Sequence, residues 1–180
     1  YVYVTPVNGW KDTVETAIIR ASDSQSNDFF GTVCISKNYI VVGSTGNNEK
    51  GAAYVFKKPI NGWVDMFQTA KLVVSDGQSY DDFGYSISTL NDYIVVGAPY
   101  KDNNFDLGGS VYVFVKPEQS WKDTTQTIKL AVPDNENGYS FGISTAISGD
   151  QILVGFPGDN DNGPESGSVI IYGKSDSSLI

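Results

Sequence analysis

Residues 83–99 read Phe83-Gly84-Tyr85-Ser86-Ile87-Ser88-Thr89-Leu90-Asn91-Asp92-Tyr93-Ile94-Val95-Val96-Gly97-Ala98-Pro99, and this stretch decides the fold. Gly84–Thr89 alternates apolar and polar side chains, the period of a half-buried strand. Tyr93–Gly97 is a continuous apolar run, the pattern of a strand buried on both faces. Between them Leu90-Asn91-Asp92 leaves room only for a two-residue hairpin. Pro99 forbids further pairing. The stretch is therefore two short antiparallel strands.

Working outward, the same pattern occurs three times. Phe-Gly pairs stand at Phe30-Gly31, Phe83-Gly84 and Phe141-Gly142, and tryptophans at Trp10, Trp63 and Trp121. Both series are spaced by 53 and then 58 residues, and each Trp precedes its Phe by 20. Other positions fall into register. Pro6, Pro59 and Pro117 lie four residues before each Trp, and Asp12, Asp65 and Asp123 two after it. Asp23, Asp76 and Asp134 lie eight before each Phe-Gly glycine, and Gly43, Gly97 and Gly155 end the apolar runs. A single domain, 1–180, thus contains units 1–53, 54–111 and 112–169, with 170–180 opening a further unit and a tail. The length difference falls after Gly43, Gly97 and Gly155, which predicts a surface loop there.

Each unit supplies four short strands, and nothing has sustained helical periodicity. In the second copy, Ser110–Val115 and Gln68–Val74 are the other two strands. Four antiparallel strands per unit, repeated, is the arithmetic of an all-β propeller blade. By strand count the chain opens with the third and fourth strands of one blade. Two full blades and the first three strands of another follow. Closed propellers need at least four blades, and open edges invite association. Two explanations stand: a stretch of a longer protein, or chains that complete one another as a homo-oligomer or a head-to-tail assembly.

Phe83-Gly84 followed by Gly97-Ala98-Pro99 resembles the FG-GAP repeat family, which includes integrin α propellers and bacterial surface and secreted proteins. The third copy has Gly155-Phe156-Pro157 and the first Gly43-Ser44-Thr45. The motif residues read as architecture: Gly31, Gly84 and Gly142 for a tight crossing into the innermost strand, and Phe30, Phe83 and Phe141 for the gap between blades. The resemblance implies a non-catalytic extracellular or cell-surface module for adhesion, recognition or assembly. It also implies calcium in the loop between the first two strands. Here those loops, such as Ser36-Lys37-Asn38, are too short and too poor in carboxylates for a cage of six to eight oxygens.

Acidic clusters lie instead between the second and third strands, at Asp102 and Asp106 and at Asp159, Asp161 and Glu165. Alternating carboxylate and amide oxygens with a glycine can wrap Ca2+; they also make an ordinary solvated turn. Trp10, Trp63 and Trp121 are either sugar-stacking platforms or covers for the outer strands. Lys11-Asp12 and Lys122-Asp123 are placed to hydrogen-bond such a sugar. The glycan-binding reading makes the protein a propeller lectin, and a third reading makes it the structural subunit of a surface filament. Carboxylate pairs such as Asp81-Asp82 raise glycoside hydrolysis, but neither a pair nor a nucleophile recurs in all three copies. Cys34 reads as a buried strand thiol.

Composition excludes several classes. The 180 residues contain no histidine, so triad and His-metal chemistries are out. A net charge of −9 opposes nucleic acid and anionic lipid. No apolar run is long enough for a spanning helix. The chain opens on Tyr1 without a signal-type run, so localisation rests on the composition and the resemblance.

Overall fold

The structure is a computed structural model that describes residues 1–7, 9, 14–102, 108–132 and 139–173. It is all-β; among the described residues the helical content is one 3-10 turn at Asn47–Glu49. The first blade is β2 (Phe30–Ile35), β3 (Tyr39–Ser44), β4 (Ala52–Lys57) and β6 (Ala70–Val73). The second is β7 (Ser86–Leu90), β8 (Tyr93–Ala98), β9 (Ser110–Val115) and β11 (Ile128–Leu130). The third has β12 (Thr145–Ser148), β13 (Gln151–Phe156) and β14 (Ser168–Gly173). Before them stands a half-blade, where Val2 pairs antiparallel with Ala17 and leads into β1 (Ile19–Arg20). Neighbouring strands within each blade are antiparallel.

The continuous apolar runs became the central strands, as their pattern requires. In β3, β4, β8 and β9 nearly every residue is buried, because both faces meet another blade. Two strands differ from the sequence reading by more than one residue at an end. The second inner strand starts at Ser86, because Gly84 is left-handed (φ +103) and turns the chain first. The strand expected over Gln68–Val74 runs only over Ala70–Val73, and a separate short strand ahead of it, β5 (Met66–Phe67), pairs with β1 of the preceding blade.

The core consists of three seams between blades. Val2, Ala17 and Ile19 cover Val42, Tyr54 and Phe56. Val41, Val55 and Leu72 cover Phe83, Val96 and Phe114. Val95, Val113 and Leu130 cover Phe141, Val154 and Phe156. The motif phenylalanines sit in these gaps, with Phe83 edge-on to Tyr112 at 5.7 Å and Phe141 edge-on to Phe156 at 5.8 Å. The glycine ending each apolar run is a close-approach position. A Cβ on Gly43 would lie 2.0 Å from the Gly84 carbonyl oxygen, and one on Gly97 2.0 Å from that of Gly142.

Hydrogen bonds repeat across the seams. Asp65 Oδ1 accepts from the Ile18 amide (2.8 Å), and Gln68 both accepts from the Ser22 amide and donates to its hydroxyl. One blade on, Asp123 accepts from the Lys71 amide (2.8 Å) and Gln126 engages Ser75 in the same two ways. Beside the second latch β10 (Thr124–Thr125) pairs parallel with β6. The recurring Asp65 and Asp123 therefore fasten each blade to its predecessor.

Candidate recognition face

Strand direction puts two sets of connections at one end of the blades: those between blades, and those between second and third strands. They are bonded together there, with Gly46 N–H donating to Asp28 O (3.1 Å), Tyr80 N–H to Glu49 O (2.7 Å) and Gly158 N–H to Tyr139 O (3.2 Å).

Two sets of side chains at repeat-equivalent positions tie this end together. In the first, Tyr54 hydroxyl donates to Asp23 Oδ1 (2.8 Å) and Lys71 Nζ to Oδ2 (2.6 Å), with the ammonium 5.5 Å from the tyrosine ring centre. Tyr112, Asp76 and Lys129 repeat this at 3.0, 2.7 and 5.7 Å. Burial pushes the Asp23 and Asp76 carboxyls up, but the lysine and tyrosine donors outweigh it and both end below the ordinary range. Burial and the adjacent aspartate raise both tyrosines. In the second set, Asp28 accepts from Asn47 Nδ2 (3.3 Å) and the Gln25 amide (2.8 Å). Asp81 meets Lys101 Nζ at 3.1 Å and accepts from the Gln78 amide (2.7 Å), with the lysine and aspartate side chains only 4% and 3% exposed. In the third copy these phases hold Tyr139 and Asp159.

The 159–165 loop is closed by its own side chains. Asp159 Oδ1 accepts from the Asp161 amide (2.9 Å), and Asn160 Oδ1 from the Glu165 amide (2.8 Å). Asp159 is buried, whereas Asp161 and Glu165 are exposed, and the Glu165 carboxylate accepts from the Tyr139 hydroxyl. Among the described residues, no three Asp, Glu, Cys or His side chains converge. The donor set as it stands does not fit a calcium cage. Asp102 is exposed, and Asp106 lies outside the described residues.

Trp63 and Trp121 are 8% and 3% exposed and belong to the blade seams. Of the two readings of the tryptophans, packing is the one these positions match; a sugar cannot stack on them. Trp10 and Asp12 lie outside the described residues, and Asp123 is spent on the latch. Cys34 is half-buried, and burial raises its thiol.

A set of exposed aromatics outside the repeat pattern stands beside the Phe-Gly motifs: Phe29, Tyr80, Tyr85, Tyr100 and Tyr139. Tyr85 and Tyr100 form an edge-on pair at 6.1 Å. Phe29 is 72% exposed and left-handed (φ +51). Its repeat partners Asp82 and Ser140 are left-handed too (φ +55 and +66), so the backbone is architectural but the bulky residue is not. These positions do not recur as aromatics, and that is the signal in the sequence that sets them apart from the packing residues. Exposed Glu49, Asp102, Asp161 and Glu165 share this end with Lys50.

The FG-GAP repeat model of this protein family matches residues 13–56, 66–114 and 124–172, and the chain belongs to the FG-GAP repeat family. It is 32% identical over 146 residues to integrin alpha-7 of Rattus norvegicus, covering 73% of this chain and 12% of that protein. Against integrin alpha-7 of Homo sapiens it is 30% identical over 156 residues, covering 79% of this chain and 12% of the relative. The chain thus spans about an eighth of the length of these relatives. Each match begins near a fourth strand and ends in the third strand of the next blade.

Proposed function

We propose that this chain is a non-catalytic, adhesion-type recognition module that works outside the cell and binds a protein partner through its loop-bearing end. The observation that supports this most is the group of exposed, non-recurring aromatics beside the Phe-Gly motifs. Residues that recur in the three copies have packing or fastening roles. Those that break the repeat at this end keep between 36% and 73% of their surface exposed, and Phe29 even opposes its backbone preference. The acidic surround and the net charge of −9 favour a partner that offers lysine or arginine, which stacks well on tyrosine. The integrin likeness fits an adhesive role at a cell surface.

The test is binding of the purified chain to arrays of immobilised peptides and glycans, with a Tyr85→Ala/Tyr100→Ala variant beside it. Binding to basic peptides should fall about tenfold or more in the variant, the scale of a lost aromatic hot spot. It should weaken further as salt rises. Binding to glycans alone would replace this reading with the lectin one.

A further inference from the structure

We propose that the end of the blades opposite the recognition face carries a saccharide site: a groove between the hairpins of the two complete blades that takes a pyranose bearing a carboxylate. This goes beyond the recognition reading and does not depend on it.

The hairpins joining first and second strands, Ser36-Lys37-Asn38 and Leu90-Asn91-Asp92, stand together at that end. The Thr89 backbone hydrogen-bonds the Cys34 sulfur, which ties their bases to one another. Between them lies a groove of about 650 Å³, the size of an ordinary small-ligand site. Tyr39 and Leu90 give it an apolar part, and Lys37, Asn38, Asn91 and Asp92 a polar one.

Its polar groups are largely uncommitted. The Lys37 ammonium and the Asn38 and Asn91 carboxamides have no hydrogen bond or ion pair among the described residues. Asp92 accepts from the Lys116 ammonium, which steadies the carboxylate, yet its side chain stays 56% exposed. These residues also break the repeat. Lys37 and Asn91 share a phase that holds Gly149 in the third hairpin, and Asn38 stands where the other copies have Asp92 and Asp150. The first hairpin thus presents an amine and an amide where its equivalents present an amide or nothing, and a carboxylate. Packing does not require the change, since Lys37, Asn38 and Asn91 are all exposed.

The chemistry of the groove selects the ligand. Each carboxamide both donates and accepts, the Asp92 carboxylate only accepts, and the Lys37 ammonium only donates. Sugar hydroxyls satisfy the first three, and Lys37 calls for a carboxylate on the same molecule. Tyr39 and Leu90 suit the C–H face of the ring. An acidic peptide fits less well. Asp92 repels its carboxylates, and two hairpin tips offer its main chain no strand edge to join.

The test is an array of neutral, uronate-bearing and sialylated oligosaccharides together with acidic peptides. It is probed with the full chain, Lys37→Ala, Asn38→Ala/Asn91→Gly and Tyr85→Ala/Tyr100→Ala. Asn91 is left-handed (φ +53), so glycine removes its amide without straining the turn. The wild-type chain should hold carboxylate-bearing sugars above neutral ones. Lys37→Ala should erase that preference. The amide variant should weaken binding about tenfold or more, the worth of two hydrogen bonds. Since the three groove side chains are exposed, these variants should keep the wild-type melting temperature. The tyrosine variant, altered at the other end, should bind sugars as the wild type does. An array without a bound sugar overturns the proposal. So does sugar binding that survives loss of both amides or disappears with the tyrosines, or a preference for acidic peptides that depends on Lys37.

Discussion

At the scale of single residues, the buried Asp81–Lys101 pair is the most exacting feature. Lys101→Met would leave a carboxylate without its cation in a place water does not reach. The expected loss is about 3–5 kcal/mol by urea denaturation, and the double change Asp81→Asn/Lys101→Met should recover part of it. Asp23 and Asp76 give a pH dependence of definite sign. Their folded pKa values lie below the unfolded value, so their contribution is complete above about pH 4 and drains away as pH falls through the folded values. The urea midpoint should therefore drop on the acid side, and Asp23→Asn/Asp76→Asn should flatten that limb. Asp23 and Asp76 were visible in the sequence as recurring positions. Their role was not, because Lys71 stands 48 residues from Asp23 and only the closed blade brings them together. Tyr85 and Phe29 were hidden for the opposite reason: neither recurs, so no spacing marks them.

At the scale of elements, the central strands were the most legible, since a continuous apolar run has few other homes. The outer strands were least legible, because β5 and β10 pair across blades and no local period encodes a neighbour. The motif glycines make a sharp prediction. Gly97→Ala pushes a methyl group into the Gly142 carbonyl, which belongs to backbone and cannot swing aside. It should cost about 1–3 kcal/mol, read as a lowered melting temperature. The 159–165 loop predicts little response to metal. With Asp159 and Asn160 committed to backbone amides, millimolar calcium against chelator should leave the melting midpoint unchanged.

At the scale of the whole molecule, strand counting in the sequence already gave a half-blade, two blades and three strands of another. The tryptophans were ambiguous until the seams closed over Trp63 and Trp121. The matched units run from the fourth strand of one blade to the third of the next, so every unit straddles two blades. That offset bears on how such a chain grows by duplication. Copying or deleting one unit changes the blade number by one, yet both breakpoints fall in the connection between third and fourth strands. No strand is severed by such a step, so the array lengthens or shortens by whole strands.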